Sequence, residues 1–135
     1  MSDDVIVYTG EQLARYHFGA DHPFGPKRHG AFVERFKQKQ LDRRVSHGQP
    51  AAASRKDIER FHTREYVEEV RTASEIGGGM LDPDTPAVKG IYDAAAIVVG
   101  TGLAALDQLM EGNYKRGFIP IAGLHHAYRD RAAGF

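Results

Sequence analysis

Alternating apolar and polar positions divide the chain into short strands and longer helices. Val5-Ile6-Val7-Tyr8 is a compact β-branched run broken by Thr9-Gly10, which predicts a first strand buried on both faces. Residues 11–29 lose that pattern and concentrate His, Gly and Pro, as an ordered loop does. Over residues 30–41, Phe32 and Phe36 recur at i and i+4 with Val33 beside them. Glu34, Arg35, Lys37 and Lys39 fill the other side, so a helix with one dry face is predicted. Arg44-Val45-Ser46 opens a second short strand, and a loop through Gly48 and Pro50 follows. Ser54-Arg55-Lys56-Asp57 has the spacing of a capping box, and Ile58, Phe61, Val67 and Val70 give the next helix its apolar stripe. Gly77-Gly78-Gly79 ends that helix. In Asp82-Pro83-Asp84-Thr85-Pro86, local rules make Asp84 or Thr85 an N-cap, with Pro86 at the first helical position. The longest helix is expected at Ile91–Met110, apolar nearly all round. Its Gly100 and Gly102 each cost about 1 kcal/mol of helix propensity against alanine, so close backbone packing is expected there. The run Phe118-Ile119-Pro120-Ile121 predicts the third strand.

Strand, helix, strand, helix, helix, strand is the order of an α/β protein with a parallel sheet. Candidate chemistry lies just past the third strand, where Gly123 turns the backbone and His125-His126 follow. Open α/β sheets bind ligands at the C-terminal ends of their strands. Adjacent imidazoles suit proton transfer, because histidine changes charge near neutral pH. His62 and Tyr66, one helical turn apart, are read first as a helix–helix contact. Asp21-His22-Pro23-Phe24-Gly25-Pro26-Lys27-Arg28 reads locally as a surface loop braced by its prolines.

Composition narrows the classes. With 135 residues the chain is one domain or a piece of one, and a hydrophobic content of 41% suffices for a core. Lys+Arg and Asp+Glu both number 18, so nothing in the net charge points to nucleic acid or an anionic membrane. The absence of cysteine excludes a disulfide framework and a thiolate metal site. No basic-then-apolar segment opens the chain, no run is read as membrane-spanning, and a cytoplasmic location is expected. The histidines and aspartates follow no zinc-site spacing, and there is no Asp-x-His segment.

Gly123-Leu124-His125-His126-Ala127, followed by Ala133-Gly134-Phe135, resembles the histone deacetylase superfamily. That group includes the acetoin-utilisation proteins and the acetylpolyamine amidohydrolases. The His-Pro-x-x-Pro-x-Arg pattern at His22, Pro23, Pro26 and Arg28, and the segment with His62 and Tyr66, match the same family. The resemblance implies a partial three-layer α/β/α arginase/deacetylase fold, with a parallel sheet of about three strands and helices on both faces. Residues 1–135 would form a single domain, the N-terminal part of a catalytic domain, cut after the double-histidine and Gly-Phe motifs.

By the same resemblance His126 is the general base, and His125 is the partner that stabilises charge or shares the acid role. Asp84 grips the substrate backbone at the rim, a role compatible with capping. Gly134 and Phe135 line a tunnel for an acetyl-lysine-like arm, and Arg28 is a buried arginine on the acetate exit route. The family uses zinc or ferrous iron, held by an Asp-x-His segment and a later aspartate that do not occur in this sequence. No metal is therefore expected to be bound by these residues. Two function classes follow. One is an N-terminal fragment of a metal-dependent deacetylase of acetyl-lysine or acetylpolyamine amides, inactive by itself. The other is a non-catalytic remnant that assembles with itself. The expected partner is accordingly a second copy or a complementing C-terminal segment.

Overall fold

The computed structural model describes residues 4–135. Strand β1 (Val5–Tyr8) occupies the centre of a three-stranded parallel sheet, between β2 (Ser46–Gly48) and β5 (Arg116–Phe118). The register pairs Val7 with both His47 and Phe118, and Ile6 with Ser46 and Gly117. Side chains alternate across a strand, so these two rows face opposite layers. The Val7 row meets α2 (Arg28–Gln38): Phe32 packs 5.5 Å from Phe118, and Phe36 lies 6.4 Å from His47. Ile6 and Tyr8 meet Ala105 of α5 (Ile91–Met110) on the other face. Helices therefore cover both faces, as an α/β reading of the element order requires.

Phe32 and Phe36 stack 5.3 Å apart on α2, as their i, i+4 spacing predicts. A 3-10 turn at Leu41–Arg44 precedes β2, so the second strand begins at Ser46 rather than Arg44. Ser54 forms the expected capping box with Asp57 at the start of α3 (Arg55–Ile58). The single helix expected from there is in fact two. The chain leaves helical geometry after Ile58 and restarts at α4 (Arg64–Ile76), whose N-cap Thr63 accepts a bond from the Tyr66 N–H. Arg55 spans the break to Glu68 at 2.7 Å, and Phe61, placed on the dry stripe by pattern, is half exposed. Gly77 ends α4 as expected.

The Asp82-Pro83-Asp84-Thr85 stretch does not cap a helix. It is the turn of a small antiparallel hairpin, β3 (Met80–Asp82) with β4 (Thr85–Pro86). Helix α5 starts only after Gly90, with no side-chain cap. Its bounds match the sequence reading, and it packs on β1, β5, α1 (Glu11–Ala14), α3 and α4. At 20 residues and mean hydropathy 1.3 it is long and apolar enough, by composition alone, to cross a membrane, a test that a packed core helix also passes. Gly100 carries the close approach: an added Cβ would overlap the backbone of residues 51–53, whereas one at Gly102 would meet nothing within 4 Å.

The third strand is displaced from its expected place. β5 spans Arg116–Phe118, an exposed edge, and not residues 118–121. Pairing with Val5 and Ile6 starts it early, and Pro120 cannot donate to a ladder, so it stops early. The chain then turns inward, and Ile121 is buried against Leu13, Phe18, Phe24 and Ile91.

Candidate functional site

Residues 123–135 close a loop over the core. The Leu124 N–H donates to the Phe135 carbonyl at 3.3 Å, and the Tyr128 N–H donates to Arg131 O at 2.9 Å across the tip. The Arg131 guanidinium lies 4.0 Å over the Tyr128 ring. The outer limb is fastened to the break between α3 and α4, where Arg129 O accepts from the Thr63 N–H at 2.9 Å and lies 3.3 Å from His62 Nδ1. The return limb is fastened to the hairpin. Asp82 Oδ2 accepts from the Gly134 N–H at 2.8 Å, and Thr85 Oγ1 accepts from the Phe135 N–H at 2.9 Å.

His125 and His126 are exposed on this loop, and both line a cavity of about 270 Å³. His125 has φ 60, a left-handed conformation that is uncommon outside glycine. Val67 and Val70 of α4, Val98 and Val99 of α5, and the rings of His62, Tyr66, Tyr92 and Phe135 supply the other walls. Such a mostly apolar hollow with a few polar groups is the usual form of a small-ligand site. Gly134 lies directly under one histidine: an added Cβ would sit 3.0 Å from His126 Cδ2. Phe135 packs 4.8 Å from His22 and 6.0 Å from both Phe18 and Phe24.

The phenols of Tyr16, Tyr66 and Tyr92 border the cavity. Burial pushes Tyr66 up to about 12, with Glu69, Tyr16 and Asp82 adding to the rise, and burial also raises Tyr16. Both therefore stay protonated at neutral pH and can donate hydrogen bonds. Asp82 is displaced the other way, down to about 2. The Thr85 hydroxyl is the main cause, and the Gly134 and Asp84 N–H groups add to it.

The structure brings most of the expected site residues together. His125, His126 and Phe135 share the cavity wall, Gly134 lies against His126, and Asp84 stands exposed in the adjoining hairpin turn. His22 ties the His-Pro loop to that turn. Its Nδ1 accepts from the Phe24 N–H at 2.9 Å, which assigns the proton to Nε2 for donation to Asp84 O at 2.7 Å. Arg28 departs from expectation: it is exposed, outside the cavity lining, with its guanidinium 4.5 Å over Phe24. The expected helical pairing of His62 and Tyr66 changes character. His62 precedes the α4 N-cap, yet its ring still lies 5.2 Å from Tyr66. The sequence reading named neither Asp82 nor Thr85 as a site residue. Asp82 carries the Asx-turn signal of an aspartate before Pro, but its second partner is 52 residues away.

Among the described residues no group of three or more His, Asp, Glu or Cys side chains converges to hold a metal ion. The residues present thus do not fit the metal that the resemblance implies.

Comparison with known proteins agrees with this architecture. The histone deacetylase domain family matches residues 22–135. The acetoin utilization protein AcuC of Bacillus subtilis is 31% identical over 100% of this chain and 37% of its own length. Histone deacetylase 8 of Xenopus laevis is 38% identical over 64% of this chain and 29% of its own. The crystal structure of the HDA15 HD domain superposes with a TM-score of 0.86 over 99% of this chain and 40% of that chain, at 23% identity. The chain thus spans well under half the length of these relatives.

Proposed function

Because this chain belongs to the histone deacetylase domain family, we propose that its residues supply the acid–base and substrate-entry portion of an amide-hydrolysing deacetylase site. The supporting observation is one cavity whose wall carries His125, His126 and Phe135, with the Asp84 turn bonded to the same loop through Asp82. In this reading His126 takes the proton of the attacking water and His125 stabilises the charge that develops beside it. Asp84 accepts a backbone N–H of the substrate, and Gly134 with Phe135 guides an acetyl-lysine-like or acetylpolyamine arm. A bound metal would supply Lewis-acid chemistry, from ligands other than these residues.

A fluorogenic acetyl-lysine substrate tests the reading, with zinc or ferrous iron added in parallel. These residues by themselves are expected to give no turnover, while an acetyl-lysine peptide shifts the His125 and His126 ring resonances. A peptide that leaves both rings unmoved removes the site. Metal-dependent turnover abolished by His126→Ala would show a complete centre where a partial one is proposed.

The exposed edge of β5 favours a second reading, in which the chain assembles with itself. Phe118 is 50% exposed and Met110 at the end of α5 is 79% exposed. An apolar strand edge is a pairing surface unless covered. Sedimentation at micromolar concentration decides it, and a well-behaved monomer excludes it.

A further inference from the structure

We propose that Asp82 is a positioning residue of this site: its one carboxylate ties the turn bearing Asp84 to the limb bearing Gly134, and so sets where the His126 ring lies. Each oxygen has a separate task. Oδ1 accepts from the Asp84 N–H at 3.0 Å, closing an Asx turn within the hairpin. Oδ2 accepts from the Gly134 N–H at 2.8 Å, 52 residues further along the chain. An ionised carboxylate is acceptor-only and can serve both N–H donors and the Thr85 hydroxyl at once. A neutral amide in its place has one acceptor oxygen, and its NH₂ would face a second N–H.

The connection to His126 is steric. Gly134 adopts φ +64, and a Cβ there would stand 3.0 Å from His126 Cδ2, so the ring lies against the side of Gly134 from which a side chain would project. Thr85 reinforces the same limb by accepting from the next N–H, that of Phe135, at 2.9 Å. The Phe135 carbonyl in turn accepts from Leu124, at the residue that leads into His125. One hairpin therefore holds both ends of the histidine loop. The charge is well supported, since charge-assisted bonds of this kind are stronger than neutral ones. The other titratable groups that face Asp82 are Asp84 on its own turn and Tyr66 from α4.

The brace stands on geometry, and only its bearing on catalysis rests on reading His126 as the base. Its test therefore uses resonances and not turnover, so that either idea can fail alone. In labelled protein, Asp82→Asn is expected to move the Gly134 and Asp84 amide signals and speed Gly134 hydrogen exchange at least about tenfold. It should also shift the His126 ring signal and its titration midpoint, with the β1 amides unmoved. A merely structural aspartate would leave the His126 midpoint where it is, and that result overturns the proposal. Should the variant fail to fold, acid titration of the wild-type chain decides. The Gly134 amide, the Asp84 amide and the His126 ring must then follow the Asp82 carboxyl carbon with a common midpoint, and separate midpoints overturn the proposal.

Discussion

Substituting alanine for Gly100 and for Gly102, two residues apart on one helix, should affect stability very differently. Both changes gain about 1 kcal/mol of helix propensity. At Gly102 nothing lies within 4 Å of the new methyl, so Gly102→Ala should be neutral or up to about 1 kcal/mol more stable. At Gly100 the methyl meets the backbone of Ala51, Ala52 and Ala53, which has no flexible end to give way. Forcing that contact costs about 1–3 kcal/mol as overpacking. The segment is also hydrogen-bonded to α5, by Ala53 N–H to Ala96 O at 2.8 Å and Ala51 N–H to Thr101 Oγ1 at 3.1 Å. Losing those adds about 1 kcal/mol each. Gly100→Ala should therefore destabilise by about 2–4 kcal/mol net. Urea denaturation followed by circular dichroism measures both variants. Because Val98 and Val99 lie on the displaced helix, any ligand of the cavity should bind Gly100→Ala more weakly as well. Equal stability of the two variants would refute the argument that backbone contact at 51–53 seats α5.

Ser54→Ala removes the capping box of α3 and should cost about 1 kcal/mol in the same urea assay. His125→Gly relieves a left-handed residue, so stability should hold or rise by up to about 1 kcal/mol while acetyl-lysine peptide binding falls. Gly134→Ala combines a left-handed φ of +64 with a methyl 3.0 Å from His126 Cδ2, and thermal melting should show a loss of about 1–2 kcal/mol. The folded-state value of Asp82, about 2, lies below its ordinary 3.8, so its stabilisation is complete above about pH 4 and fades as pH falls towards about 2. Glu68, held near about 2 by Arg71 and Arg55, titrates in the same window. Asp82→Ala should therefore flatten, without abolishing, the acid dependence measured by circular dichroism between those pH values.

Local chemistry sufficed for the elements that depend on neighbours in the chain. The β-branched run made β1, the serine and aspartate three apart made the α3 cap, Gly77 stopped α4, and a long apolar stretch marked α5 end to end. The double histidine, the Gly-Phe pair and the His-Pro loop were legible as motifs before any fold was known. What the sequence could not determine lies wherever the deciding partner is remote. β5 begins at Arg116, against any apolar pattern, because Val5 and Ile6 are there to pair with. The helix expected from Ser54 onwards breaks before Thr63, whose N–H bonds Arg129 O in the histidine loop. Asp84 and Thr85 look like helix caps until the hairpin takes their backbone, and Asp82 looks like a turn residue until Gly134 arrives. Arg28 matches a buried arginine by motif yet lies exposed over Phe24, because burial depends on what packs above a side chain and not on its neighbours in sequence. A hydrogen bond across 52 residues leaves no periodicity to read, and only the folded chain brings its two ends to 2.8 Å.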